Sequence, residues 1–174
     1  DWSITLVDNF SLDDVLAGLL ANSKYKAPQE GKYYRIQNLN YKTYMNEGIT
    51  SNGLGCEGLN EDKLAQYWTL VKIGSGFALQ NVCTQRYVVR QGGALSSQYT
   101  TQEAKPGQGF TCKRTADDTN FTYYIVDNGG VGLHCDQGSN VVGWNTEGLS
   151  TSTWGFEEVE LTDEFIQKGR GELN

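Results

Sequence analysis

Histidine occurs once, at position 134, directly before Cys135, and the chain holds no G-x-S-x-G segment. A serine or cysteine nucleophile needs a base to take its proton, so a single His removes most triad arrangements. Neighbouring side chains on a strand point to opposite faces, so His134 and Cys135 do not act as a pair. Cys56, Cys83 or Cys112 would meet His134 only through a coincidence of folding. The 21 acidic residues allow a carboxylate pair of the glycosidase kind, but the sequence marks none out, and Glu157, Glu158 and Glu160 read as solvated acids on a strand. Another chemistry is better supplied. Asp136, His134 and Asn145 are planar polar groups able to bond adjacent hydroxyls, and Trp144 offers an aromatic face. Such a set grips a polyhydroxylated ring, with its C–H side on the indole and its hydroxyls on the polar groups. Asn140, Thr146 and Glu147 add further polar atoms. The competing reading packs Trp144 on the body of the domain and leaves Asp136 as a solvated turn acid.

These residues must be positioned by short strands, and the sequence repeats a strand pattern three times. Tyr34-Arg35-Ile36-Gln37-Asn38, Ala78-Leu79-Gln80-Asn81 and Tyr124-Ile125-Val126-Asp127-Asn128 open the copies. Tyr44-Met45-Asn46, Tyr87-Val88-Val89 and Leu133-His134-Cys135 follow. The copies close on Trp68, Phe110 and Trp154, spaced 42 and 44 residues apart. A period near forty means that each unit is one supersecondary element unable to bury its apolar face alone. Three strand–turn–strand–loop–strand units close into an all-β structure with threefold pseudo-symmetry. The repeats span about 31–74, 75–118 and 119–161. Asn38, Asn81 and Asn128 are expected to end the first strands and satisfy the turns that follow.

Residues 1–30 and 162–174 flank the repeats. In the first segment Ser11 caps a short amphipathic helix, with Leu12, Val15, Leu16, Leu19 and Leu20 forming one apolar stripe. That stripe packs on the domain or docks on a neighbour, and the sequence does not choose. In the second, residues 162–169 read as a helical turn ending at Gly169.

Composition bounds the partners. The 174 residues include 21 Gly and 2 Pro, and the net charge is -7. No basic cluster is available to neutralise phosphates, which argues against nucleic acid. No apolar run reaches the roughly 18 residues of a membrane-spanning helix. The chain begins at Asp1 and its only Met is Met45, so it reads as a piece of something longer. Its four Cys lack metal-ligand spacing. They form up to two disulfides, with Cys83–Cys112 the preferred pair, or stay as buried thiols. No metal or cofactor is implied.

Gln66-Tyr67-Trp68 resembles the Q-x-W signature of ricin-B-type β-trefoil lectins, with Gln108-Gly109-Phe110 and Ser152-Thr153-Trp154 in the same places of the later copies. The stretch from Leu133 to Trp154 also resembles trefoil modules of secreted, Bacteroides-like polysaccharide-handling proteins. The resemblance implies a β-trefoil and a non-catalytic, glycan-binding module of a larger secreted, periplasmic or cell-surface protein. A degenerate trefoil serving as a structural or protein-interaction domain is the alternative. Lectins of this type place an acid after the second strand of a repeat and an aromatic on the following loop or strand. The third copy has both, in Asp136 and Trp144. In the first copy Asn46 or Glu47 stands in for the acid, with no aromatic. In the second, Val89-Arg90 replaces the acid and Tyr99 supplies the aromatic. Trp68, Phe110 and Trp154 are expected to be core residues rather than ligand contacts.

Overall fold

The computed structural model describes residues 23–117 and 120–173. Each copy of the repeat yields four strands. The first gives β1 Tyr33–Asn38, β2 Tyr44–Glu47, β3 Leu54–Glu57 and β4 Trp68–Ile73. The second gives β5 Gly76–Asn81, β6 Tyr87–Arg90, β7 Tyr99–Gln102 and β8 Thr111–Arg114. The third gives β9 Thr122–Val126, β10 Gly132–Asp136, β11 Asn140–Trp144 and β12 Thr153–Val159.

First and fourth strands join in a ring. Antiparallel ladders link β1–β4, β4–β5, β8–β9, β9–β12 and β12–β1. The bridge Phe77–Phe110 closes the remaining step between β5 and β8. At that seam the backbones nearly touch, and a Cβ on Gly109 would stand 2.5 Å from the Phe77 nitrogen. The glycine before Phe110 is therefore a steric requirement. Second and third strands form three hairpins, tied in a cycle by Gly53–Thr100, Gln98–Val142 and Asn140–Gly55. A closed barrel capped by three hairpins is the β-trefoil that the repeat implies.

The closing aromatics lie together in the main core with Tyr34, Met45, Leu79, Val88, Ile125 and Leu133. Trp68 Nε1 donates to the Met45 carbonyl at 2.9 Å, and Trp154 Nε1 donates to the Leu133 carbonyl at 3.0 Å. Each indole thus packs in the core while its one polar atom is satisfied. The turn residues deviate from expectation in the third copy. Asn38 and Asn81 each accept two backbone N–H groups. Their amides donate to the Thr151 and Ala65 carbonyls. In the third copy Asp127, not Asn128, holds this place, accepting from the Gly129 and Val131 amides. The turn there is one residue shorter, since Asp127 N bonds Val131 O whereas Asn81 N bonds Arg86 O.

The cysteine pair is also corrected. All four Cys are free. Cys83 lies with Leu64, Tyr67, Val82 and Ile166, whereas Cys112 packs against the main core. Burial pushes the Cys112 thiol up to about 12. Glu157 is no solvated acid either: Arg35 reaches it at 2.6 Å and the Tyr44 hydroxyl at 3.1 Å.

A helix, α1 Asp163–Gly171, follows the last repeat and runs past Gly169. Thr162 caps it by accepting from Phe165 N, and Asp163 and Glu164 occupy its positive end. Gly169 serves packing rather than termination, because a Cβ there would stand 2.5 Å from Leu64 Cδ2. Ahead of β1, Lys26 N bonds Phe156 O, and the Tyr25 ring covers Gly155. The amphipathic Leu12–Leu20 stretch lies outside the described residues.

Candidate functional site

The β10–β11 hairpin pairs Gly132 with Trp144, Leu133 with Gly143, His134 with Val142, Cys135 with Val141 and Asp136 with Asn140. Alternation sends Leu133, Cys135 and Val141 into the core, where they are fully buried. His134, Asp136, Asn140 and Trp144 therefore share the outward face. Trp144 is 39% exposed, while Trp68 and Trp154 are fully buried. His134 and Cys135 stand on opposite faces, as the sequence requires.

Beside Trp144 the imidazole is held firmly. The two rings lie 6.1 Å apart, tilted by 41°. His134 Nδ1 is 2.9 Å from Ser152 Oγ, and that hydroxyl donates to the Asn145 carbonyl at 2.8 Å. A hydroxyl has one proton. With it committed to Asn145, Ser152 accepts from His134, which places the ring proton on Nδ1 and leaves Nε2 as an acceptor. Burial lowers the His134 pKa, partly opposed by Asp136, so the ring is neutral near pH 7.

Ser152 is the residue that sequence reasoning missed; it stands where the first repeat has Gln66. In the first repeat Gln66 Nε2 bonds Gly58 O at 2.9 Å, one residue after β3. Ser152 makes the matching bond to Asn145, one residue after β11. Its shorter side chain leaves the imidazole as its hydrogen-bonding neighbour.

The four candidates of the third repeat divide along the hairpin. Asp136 and Trp144 are opposite ends of the ladder, four residues apart, which is about 13 Å of strand. One sugar ring does not span that length. Trp144, His134 and Asn145 form one group, and Asp136 with Asn140 forms another.

In the first repeat the structure separates the two candidates. Glu47 is 0% exposed, facing inward, so no ligand reaches it. Thr84 donates to it at 2.7 Å and Arg86 stands 3.5 Å away. Burial raises its pKa against the opposing pull of Thr84 and Arg86. It is a buried structural acid. Asn46 points outward into a cleft of about 230 Å³ lined by Gly55, Glu57, Gln98, Ser139 and Asn140. The carboxylate at that cleft is Glu57, held by Lys63 and Gln66. Register finds it: Glu57 pairs with Tyr44 as Trp144 pairs with Gly132.

The second repeat offers no sugar platform. Tyr99 is fully buried and its hydroxyl donates to Asp127 Oδ2 at 2.9 Å. Arg90 bonds the same oxygen at 2.7 Å and also the Gly92 and Ala94 carbonyls. Burial alone would raise the Asp127 pKa, but these bonds lower it. The cleft of about 240 Å³ beside Arg90 thus faces a guanidinium already engaged. Among the described residues no group of three or more His, Cys, Asp or Glu is placed to hold a metal ion.

Comparison with protein-family models gives no match, and comparison with curated proteins gives none. Solved structures do share the fold. The Macrolepiota procera ricin B-like lectin, in complex with lactose, superposes with a TM-score of 0.66 at 18% identity, covering 77% of this chain and 100% of that one. The Rhizoctonia solani agglutinin gives 0.62 at 15% identity, covering 77% and 99%. An exo-β-1,3-galactanase from Clostridium thermocellum gives 0.61 at 15% identity, covering 77% of this chain but 32% of that enzyme. The chain has the β-trefoil fold of ricin B-like lectins.

Proposed function

We propose that this domain is a non-catalytic, lectin-like carbohydrate-binding module whose sugar site is the outward face of the third repeat. One observation carries this reading: Trp144 stands exposed on a paired strand with a fixed, neutral imidazole 6.1 Å away. Trp144 stacks against the C–H side of a pyranose, and His134 Nε2 accepts a hydrogen bond from a hydroxyl. Asn145, exposed at the strand end, supplies amide hydrogen bonds. The lactose complex of a lectin sharing the fold supports galactose-type sugars as first probes. A shallow single site binds weakly, so avidity through a larger extracytoplasmic protein fits its use.

A structural or protein-interaction role is the second reading. It is favoured by the first two repeats, whose outward counterparts of Trp144 are Glu57 and Gln102. Calorimetric titration with galactose and lactose, followed by a glycan array, separates the two. Binding lost in Trp144→Ala supports the sugar site. Binding of equal strength in that variant overturns it, and no glycan binding at all leaves the interaction role.

A further inference from the structure

The first repeat builds a seat for helix α1. Phe165 and Ile166 join Leu64, Tyr67, Val82 and Tyr33 in one apolar cluster. The Phe165 ring meets Tyr67 edge-on at 5.8 Å, and Gly169 lies against Leu64. The threefold repeat maps that seat onto the third copy. Val82 N bonds Tyr67 O, and Leu39 N bonds Thr153 O. Tyr34 pairs with Trp68 and Tyr33 with Thr69, as Tyr123 pairs with Trp154 and Thr122 with Gly155. Leu64 starts the short helical turn before β4, and Ser150 starts the one before β12. Leu39, Thr122, Ser150 and Thr153 therefore stand where Val82, Tyr33, Leu64 and Tyr67 stand in the first. Thr122, Ser150 and Thr153 are smaller than their counterparts. The missing volume is a cleft of about 250 Å³, also lined by Tyr124 and Ala116.

The sequence supplies an occupant. Leu12, Val15, Leu16, Leu19 and Leu20 recur at helical spacing behind the cap Ser11. Ala21 and Asn22 alone separate Leu20 from Ser23, where the described residues begin. That tether is about 10 Å of extended chain. Its fixed end is beside the cleft. Lys26 N bonds Phe156 O and the Tyr25 ring covers Gly155, so toward Ser23 the chain runs along β12 to its start at Thr153. Ser23 Oγ donates to the Tyr25 carbonyl at 2.5 Å, which holds Ser23 there. Gly155 pairs with Thr122, a residue of the cleft. So short a tether gives the stripe a high effective concentration at this one place. The second repeat suits an apolar stripe less. Phe77 and Phe110 pair there as Tyr34 and Trp68 do, which puts Gly76 and Gly109 at the seat. Glycines and polar side chains line that cleft, Ile73 apart.

We infer that the Leu12–Leu20 stripe seats in the Leu39–Thr153 cleft of the third repeat, as α1 seats on the first, so that both flanking segments clamp the barrel through equivalent sockets. Hydrogen exchange of the full chain tests this at the amides of residues 12–20, with α1 and the barrel strands as internal controls. The wild type should protect 12–20 by about tenfold or more over an unfolded chain, independently of protein concentration. Leu39→Asp places a charge in the cleft and Ser150→Arg fills it. Each should return 12–20 to the unfolded rate while α1 keeps its protection. Leu16→Asp with Leu19→Asp should do the same from the other side of the contact. Ser150 is exposed, so its variant folds even where Leu39→Asp does not. Protection of 12–20 retained in the cleft variants overturns the seat. So does protection that grows with concentration, the mark of a second copy as partner, or an unprotected stripe in the wild type.

Discussion

Nδ1 of His134 lies 2.9 Å from Oγ of Ser152, a contact between the second strand of the third repeat and the turn leading into its last. The bond fixes the tautomer, and with it the hydrogen-bond sense of Nε2. Ser152→Ala removes it, lets the imidazole rotate and should weaken sugar binding about threefold to tenfold with little change in fold. Titration calorimetry checks this. Equal affinity would show that His134 takes no part.

The same histidine sets a pH dependence. Its native pKa lies below the ordinary value because burial disfavours the charged ring. Sugar affinity should be flat above about pH 6.5 and fall as pH drops through the lowered native value. The stability sign is the same. The contribution is fully present above the unfolded pKa and is lost as pH falls through the native one. His134→Gln keeps an acceptor without titrating, so its affinity profile should be flat. A sloping profile in that variant would assign the dependence elsewhere.

Much of this was legible in the sequence. The period of the repeat and its closing aromatics gave the barrel, because a buried aromatic layer demands the same residue type at the same register. Trp144 was legible because β11 alternates cleanly, Val141 inward and Trp144 outward. Tyr99 and Glu47 misled, because residue type does not report which face of a strand a side chain occupies, and both face the core. Asp136 misled through distance, since four residues of strand separate it from Trp144 at register. Ser152 was illegible: its role depends on a hydroxyl meeting the His134 ring on one strand and the Asn145 carbonyl just past the next.

Asp127 takes the turn position that Asn38 and Asn81 occupy in the other repeats, but it also carries the charge that Arg90 and Tyr99 require. Asp127→Asn keeps the turn bonds and leaves Arg90 half-buried without a counter-charge. It should cost about 2–4 kcal/mol in urea unfolding at neutral pH. The Asp127 pKa is lowered, so its stabilisation is present above the unfolded value and lost as pH falls through the native one. The difference between wild type and variant should therefore shrink in acid. A gap that persists unchanged at low pH would contradict the ion pair.

Glu47 is assigned to structure alone. Glu47→Gln retains an acceptor for Thr84 and should change stability by less than about 1 kcal/mol, because the buried charge it removes is itself costly. Glu47→Ala leaves a void and removes the counter-charge of Arg86, which keeps its bonds to Asn52 and the Ile49 carbonyl, and should cost about 2–3 kcal/mol. Neither should alter sugar affinity. A loss of binding in the glutamine variant would return Glu47 to the site.

The free thiols predict reactivity. Cys112, pushed up to about 12 by burial, and the buried Cys83 and Cys135 should react slowly with an aromatic disulfide reagent in the native state. All four should react after denaturation without reductant. Fewer than four would reveal a disulfide.

The central claim is that Trp144 carries a sugar site. Its most direct measurement is calorimetric titration of lactose into wild type and Trp144→Ala, with thermal melts of both proteins. Trp144 is on the surface, so the melts should agree within the effect of about 0.5 kcal/mol usual for surface changes. The account predicts weak, saturable binding by the wild type and none by the variant of equal stability. Equal binding by both proteins would contradict it.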